Sequence, residues 1–261
     1  MKRLPAILLL FSALSAAGQA HPDITLGMIR QKDLSMLWTG PLPLIDREDT
    51  TTLQWVDRPE PLGFIGRDFQ RFRIHVTAIR RSGSDPLKYV LNGKTLVKGN
   101  ICDFEGDLQI DSLVKRPDSD APEEWGGIRS GWYLKGHYVL REDPGQSGAG
   151  VFEGTHYIDI ASDSDGNIYY DTLMLIADGY RNNQWRGTWR SYKTGAAKAC
   201  NWGDWRIPDS DGLDYGAGEF IPADEYLGNG WQSYRDQFDR DPAIRAKALQ
   251  EENQCWWFNE Q

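Results

Sequence analysis

The chain has 261 residues, of which 40% are hydrophobic, 26% charged and 12% aromatic, and its formal net charge is −9. This mixture excludes a disordered or fibrous protein, and the acidic balance excludes a broad phosphate-backbone surface, so no nucleic-acid partner is expected. The combination of 11 Trp with 27 Gly points to long, curved, aromatic-lined β structure.

At the N-terminus, Lys2 and Arg3 precede an almost wholly apolar run from Leu4 to Ala17, and Gly18-Gln19-Ala20 sets small residues at the −3 and −1 positions. This is the pattern of a secretory signal peptide over 1–20, with cleavage expected after Ala20 and a secreted or periplasmic destination. The run is too short to cross a bilayer stably, and no later segment reads as transmembrane. Removal of Lys2 and Arg3 would make the chain more acidic still.

Residues 21–66 are rich in Pro and Gly and read as a lead-in segment with one short helix near Ile29 to Trp38. From there the apolar period is two. Phe72, Ile74, Val76 and Ala78 alternate with Arg71, Arg73, His75 and Thr77, and Cys102, Phe104, Gly106, Leu108 and Ile110 alternate with Asp103, Glu105, Asp107, Gln109 and Asp111. The same reading places strands over 68–80, 87–98, 101–112, 131–142, 150–161, 167–178, 183–192 and 199–207. Asn92-Gly93 could split the second strand as a hairpin turn, but its neighbours are equally long and it is kept whole.

Eight long strands joined by short turns would leave two bare edges as a flat sheet, and closure removes them. Gly106, Gly136, Gly154 and Gly187 lie within strands on the aromatic face, where a sharply curved sheet favours them. The expected fold is mainly β: a single antiparallel up-and-down eight-stranded barrel over 67–207, with a two-sheet sandwich as the alternative. Residues 208–261 are expected to form a Gly/Asp-rich loop and a C-terminal helix packed on the barrel. Asp241 caps that helix and Pro242 opens it.

Three cysteines remain, Cys102, Cys200 and Cys255, and an odd count leaves at least one unpaired within the chain. In the eight-strand arrangement Cys102 and Cys200 start strands that run oppositely, so they fall at opposite ends, too far apart to bridge. Cys200 with Cys255 is the pairing that remains, and three free thiols are the alternative.

The candidate ligand-binding residues lie on the aromatic face: Phe104, Trp132, Tyr138, Phe152, His156, Trp185 and Trp189. An eight-stranded barrel is just wide enough to be filled by side chains or to hold one small ligand. The face therefore forms either a pocket oriented by His156 and Tyr138 or a solid core. Rigid aromatic walls suit planar ligands and sugars. His75, His137 and His156 do not converge, so no metal or other cofactor is expected. Asp163 to Asn167 reads as a turn, whereas Asp209 to Glu219 leaves structural calcium open. Asp103, Glu105 and Asp107 form a solvated row facing Lys94 and Lys98, and Arg186 is expected to pair with Asp171. No G-x-S-x-G elbow or phosphate loop occurs.

With eight strands counted, residues 68–207 resemble the calycin barrels, the group that contains the lipocalins, at the level of architecture. Three runs, Pro61 to Gly66, Ile101 to Gly106 and Cys200 to Asp204, are similar to those of secreted bacterial proteins, which implies export. The functional expectation is a secreted binder of a small apolar or planar ligand. The alternatives are a barrel enzyme acting on a cyclic or carbohydrate substrate through His156 and Tyr138, and a glycan- or protein-binding module using Trp202, Trp205, Trp231, Trp256 and Trp257.

Overall fold

Alternation does build a sheet. The computed structural model describes residues 23–44, 54–116, 124–125 and 127–258; the expected leader lies outside them. Two short strands, β1 (Leu42–Leu44) and β2 (Gln54–Val56), pair with each other. The main sheet comprises β3 (Leu62–Ile65), β4 (Gln70–Arg71), β5 (Arg73–Arg81), β6 (Lys88–Val97), β7 (Asn100–Lys115), β8 (Glu124–Trp125), β9 (Ile128–Glu142), β10 (Gly150–Asp163), β11 (Ile168–Tyr170), β12 (Asn182–Ser191) and β13 (Ala197–Asp204). Its path is β4-β3-β13-β12-β10-β9-β7-β6-β5, antiparallel throughout, with β8 and β11 as offshoots.

The sheet is strongly curled, but it is not the closed eight-strand barrel expected. Its two edge strands, β4 and β5, are consecutive in the chain and joined only through Phe72, whose N–H donates to the Gly63 carbonyl. The edges therefore meet at one point, and elsewhere β5 pairs with β6 alone, which leaves a seam. The reason lies in β3 and β4, which have four and two residues and cannot follow the longer β5 along its length.

A second correction concerns the strand expected over 167–178. Only Ile168–Tyr170 is strand, an offshoot of β10. Successive turns follow, with Leu175 N bonding Thr172 O and Ala177 N bonding Met174 O, and β12 pairs directly with β10. Removing that strand reverses the direction of everything after it. Cys102 and Cys200 consequently sit at the same end of the sheet, and Glu142 acts electrostatically on both thiols. All three cysteines are free, so the Cys200–Cys255 bridge does not form; Cys102 and Cys200 are buried and Cys255 is exposed.

The strand glycines mark close backbone approach. A Cβ on Gly106, Gly136, Gly154 or Gly187 would collide with the carbonyl of Val139, Gln109, Arg186 or Glu153 respectively. Gly154 and Gly187 face each other across the β10–β12 pair. Strand β6 runs unbroken through Asn92-Gly93.

Two helices, α1 (Leu26–Gln31) and α2 (Met36–Thr39), fill one end of the curl. Ile29, Leu34, Leu37 and Trp38 join the core cluster of the sheet interior, and Leu34 N–H donates to the Tyr89 hydroxyl. Beyond β13 the chain covers the outer face of β3: Leu62 and Phe64 pack with Ile207, Leu213, Phe220 and Trp231. A 3-10 turn (Asp224–Asn229), α3 (Gln232–Asp236) and α4 (Pro242–Glu252) complete this cover, with Asp241 capping α4 through Ala243 N. Glu252 fastens α4 to the sheet by a two-pronged pair with Arg71, 2.7 and 2.5 Å, and a third bond to Arg73. No described helix is long and apolar enough to cross a membrane.

Candidate functional site

The middle of the curl is solid. Phe152 packs against Phe72 at 5.4 Å and Trp202 at 6.2 Å between ring centroids, and Trp202 stacks on Trp185 at 5.4 Å. Tyr138 meets both indoles edge-on. Of the residues picked from the sequence, Phe104, Trp132, Tyr138, Phe152, His156 and Trp185 are buried and Trp189 is half-buried. Trp132 stands apart from the others, under the guanidinium of Arg129. Trp202, expected outside the barrel centre, lies in it. Trp231 is buried beneath the outer cover, and Trp205, Trp256 and Trp257 are half-buried, so these five indoles form no exposed apolar patch.

His156 and Tyr138 do not form an acid–base pair facing a cleft. Burial pushes the His156 pKa down to about 3, against a smaller opposing effect from Asn183, so the ring is neutral at ordinary pH. Its Nε2 is 3.0 Å from Asn183 Oδ1 and 3.3 Å from Trp38 Nε1. The Nε2–H tautomer donates to the first and the Nδ1–H tautomer accepts from the second. Burial pushes the Tyr138 phenol well up, and its hydroxyl has no hydrogen-bond partner. Neither residue lines either cavity described below.

Behind His156 runs a buried polar chain. Asn183 accepts from Trp185 Nε1 at 2.9 Å and donates to Asp204, which also accepts from Tyr170 at 2.8 Å and Arg58 at 2.7 Å. Burial raises the Asp204 pKa even though Arg58 opposes it. Arg58 also reaches the carbonyls of Leu37 and Gly40, tying α2 to β13.

Two cavities flank the solid middle. The first, about 610 Å³, enters through the seam beside β5. Four indoles line it, Trp38, Trp185, Trp202 and Trp257, together with Ile74, Val76, Leu91 and Leu140. Asn183, Arg58 and His75 reach it as well. At its entrance His75 bonds Glu60 at 2.7 Å and stacks on Trp257.

The second cavity, about 910 Å³, is the mouth at the Cys102–Cys200 end. Phe152 and Trp189 line it, with Glu142 between them and Arg67, Asp68, Lys98 and Lys198 around it. Glu142 is 5% exposed. Its Oε1 accepts from the Thr95 hydroxyl, and its Oε2 from Gly150 N at 2.8 Å and Trp189 Nε1 at 2.9 Å. Burial nonetheless raises its pKa above the ordinary carboxylate value.

Glu142 and Thr95 were not among the sequence candidates, although the signal was present. Glu142 is in phase with Trp132, Leu134, Tyr138 and Leu140 on β9, and Thr95 with Leu91 and Gly93 on β6. Trp38 had no such signal, because only tertiary packing brings α2 inside.

The remaining polar groups are structural. Lys94 pairs with Asp103 and Lys88 with Asp107, while Glu105 accepts from Asn92. Arg186 pairs with Asp209 at 3.4 Å rather than with Asp171. His137 is exposed and pairs with Asp111. Asp163 holds its own turn through the N–H groups of Asp165 and Asn167. In the loop read as open to calcium, Asp214 is engaged by Arg206 at 2.6 Å.

Compared with protein-family models, curated proteins and solved structures, the chain matches none. What the structure shows of the expected barrel is a strongly curled antiparallel sheet with a packed interior.

Proposed function

We propose that this protein binds a small, planar, largely apolar molecule in the seam cavity, acting as a secreted or periplasmic binding protein. One observation carries the reading: the cavity presents four indoles and four aliphatic side chains, while Asn183, Arg58 and His75 on its wall are already engaged. Asn183 bonds Trp185 and Asp204, Arg58 bonds Asp204 and two carbonyls, and His75 bonds Glu60. Ring faces and methyl groups supply much of the surface a ligand meets, beside the side chains of Asp57, Asn253 and Gln254, and the volume lies in the range of small-molecule pockets.

Titration with a planar apolar probe, 1-aminoanthracene, followed by tryptophan quenching, tests this. Saturable quenching should disappear in Val76→Trp, which fills the cavity beside the seam, and persist in Lys98→Ala at the distant mouth. Absence of saturable binding, or binding unchanged in Val76→Trp, would defeat the proposal. The enzymatic alternative draws support only from Glu142, a buried carboxyl of raised pKa in a cavity, which is the form a general acid takes.

A further inference from the structure

The mouth shares no lining residue with the seam cavity, and its chemistry differs. Three cations, Arg67, Lys98 and Lys198, surround it against two acids, Asp68 and the buried Glu142, in a chain of net charge −9. None of the three forms an ion pair among the described residues. Unpaired positive charge converging on a cavity in an acidic protein selects for an anion.

The interior of the mouth says more. Trp189 is half-buried, and the Lys198 ammonium lies 5.9 Å from its ring centroid. A carboxylate offers about four lone-pair sites. Three on Glu142 are filled by Thr95, Gly150 and Trp189, so one on Oε1 stays open to a hydroxyl donor. The floor is closed, because Phe152 packs on Phe72 and Trp202. A long acyl tail therefore has no channel to enter.

We infer that the mouth binds a compact acidic saccharide, a hydroxylated ring bearing a carboxylate. The C–H face of the sugar rests on Trp189, a ring hydroxyl donates to Glu142, and the carboxylate meets Lys98, Lys198 and Arg67. The cavity is roomier than one sugar ring needs, so a short oligomer is the suitable ligand. This site stands independently of the seam cavity.

Isothermal titration of the full chain with trigalacturonate, at low and high salt, tests the inference, with maltotriose and inorganic phosphate as comparators. Trigalacturonate should bind at least about tenfold more tightly than either comparator, since a satisfied charged contact is worth 1.4 kcal/mol or more. Binding should weaken with salt. The Lys98→Ala/Lys198→Ala double variant, altered only at exposed positions, should lose about tenfold or more, as should Glu142→Gln if its melting curve stays cooperative. Val76→Trp should bind as the parent does. Equal binding of maltotriose, phosphate matching the uronate, no binding of trigalacturonate, or an unaffected lysine double variant would each overturn the inference.

Discussion

The imidazole of His75 lies flat on the indole of Trp257, with centroids 3.7 Å apart and planes 5° apart. One ring comes from β5 and the other from the chain beyond α4, and together they cover the entrance to the seam cavity. Glu60 holds the edge of His75 at Nδ1. Trp257→Ala should expose the interior: acrylamide quenching of the remaining tryptophans should rise, with a stability loss of about 0.5–1.5 kcal/mol beyond the area lost. An unchanged quenching constant would show that the stack does not guard the cavity.

Arg58 and Asp204 form the most deeply placed ion pair described, with side chains 10% and 0% exposed. Breaking it leaves a buried carboxylate uncompensated, which costs about 3–5 kcal/mol. Arg58→Ala should therefore be severely destabilised in urea unfolding. Adding Asp204→Asn should restore part of the loss, because the stranded charge is gone. If the double variant is no more stable than the single, the charge is not the cause.

The pH dependence has a definite sign at two groups. The folded His156 pKa is depressed from 6.5 to about 3, so the unfolded chain binds the extra proton between those values. Stability contributed by the neutral ring is full above pH 6.5 and is lost as pH falls toward 3, at about 1.4 kcal/mol per unit. Burial would raise Glu252, but Arg71 and Arg73 outweigh it and hold the carboxyl below its usual value. Its contribution is present above the ordinary glutamate pKa and is lost as pH falls through the folded one. His156→Gln should flatten the stability profile between pH 6.5 and 3 without altering the Glu252 limb. Chemical denaturation across that range measures both.

Gly154 faces Gly187 so closely that an added Cβ would meet the Arg186 carbonyl and stand 2.6 Å from the Gly187 Cα. Gly154→Ala forces the β10–β12 pair apart, so it should cost at least the 1–3 kcal/mol or so typical of overpacking. Alanine at exposed Gly83, which has open space around it, is the control. Equal melting temperatures for the two variants would refute the close-approach account.

With all cysteines free and two of them buried, Ellman's reagent should titrate one thiol, Cys255, in the native protein and three after denaturation. Reductant should leave the melting temperature unchanged.

Much of this fold is legible in the residues. The period-two runs locate β5 to β7, β9, β10, β12 and β13; in β6, β7 and β9 one face lies in the core and the other toward water along most of the strand, whereas Cys200 to Asp204 of β13 are buried on both faces. β3 escapes that logic. Leu62 to Ile65 are buried on both faces, the outer one under Phe220 and Trp231, so no alternation appears. The run 167–178 misleads in the opposite way: Ile168 to Tyr170 and the apolar stretch Leu173 to Ala177 read as one long strand, yet Ile176 is 81% exposed and the backbone bonds form turns. That single error inverted the parity of β12 and β13 and misplaced Cys200.

By itself, the sequence determined that this is an acidic, aromatic-rich antiparallel β protein with inward-facing Trp132, Trp185, Tyr138 and His156, since side-chain alternation is a local property of a strand. Only the tertiary structure decided that the curl stays open along a seam, that Trp38 and Trp202 join the interior, and that Glu142 meets Lys98 and Lys198 around one mouth. Those outcomes depend on which edges meet and how far each strand extends, and contacts between distant segments leave no periodic mark in the chain.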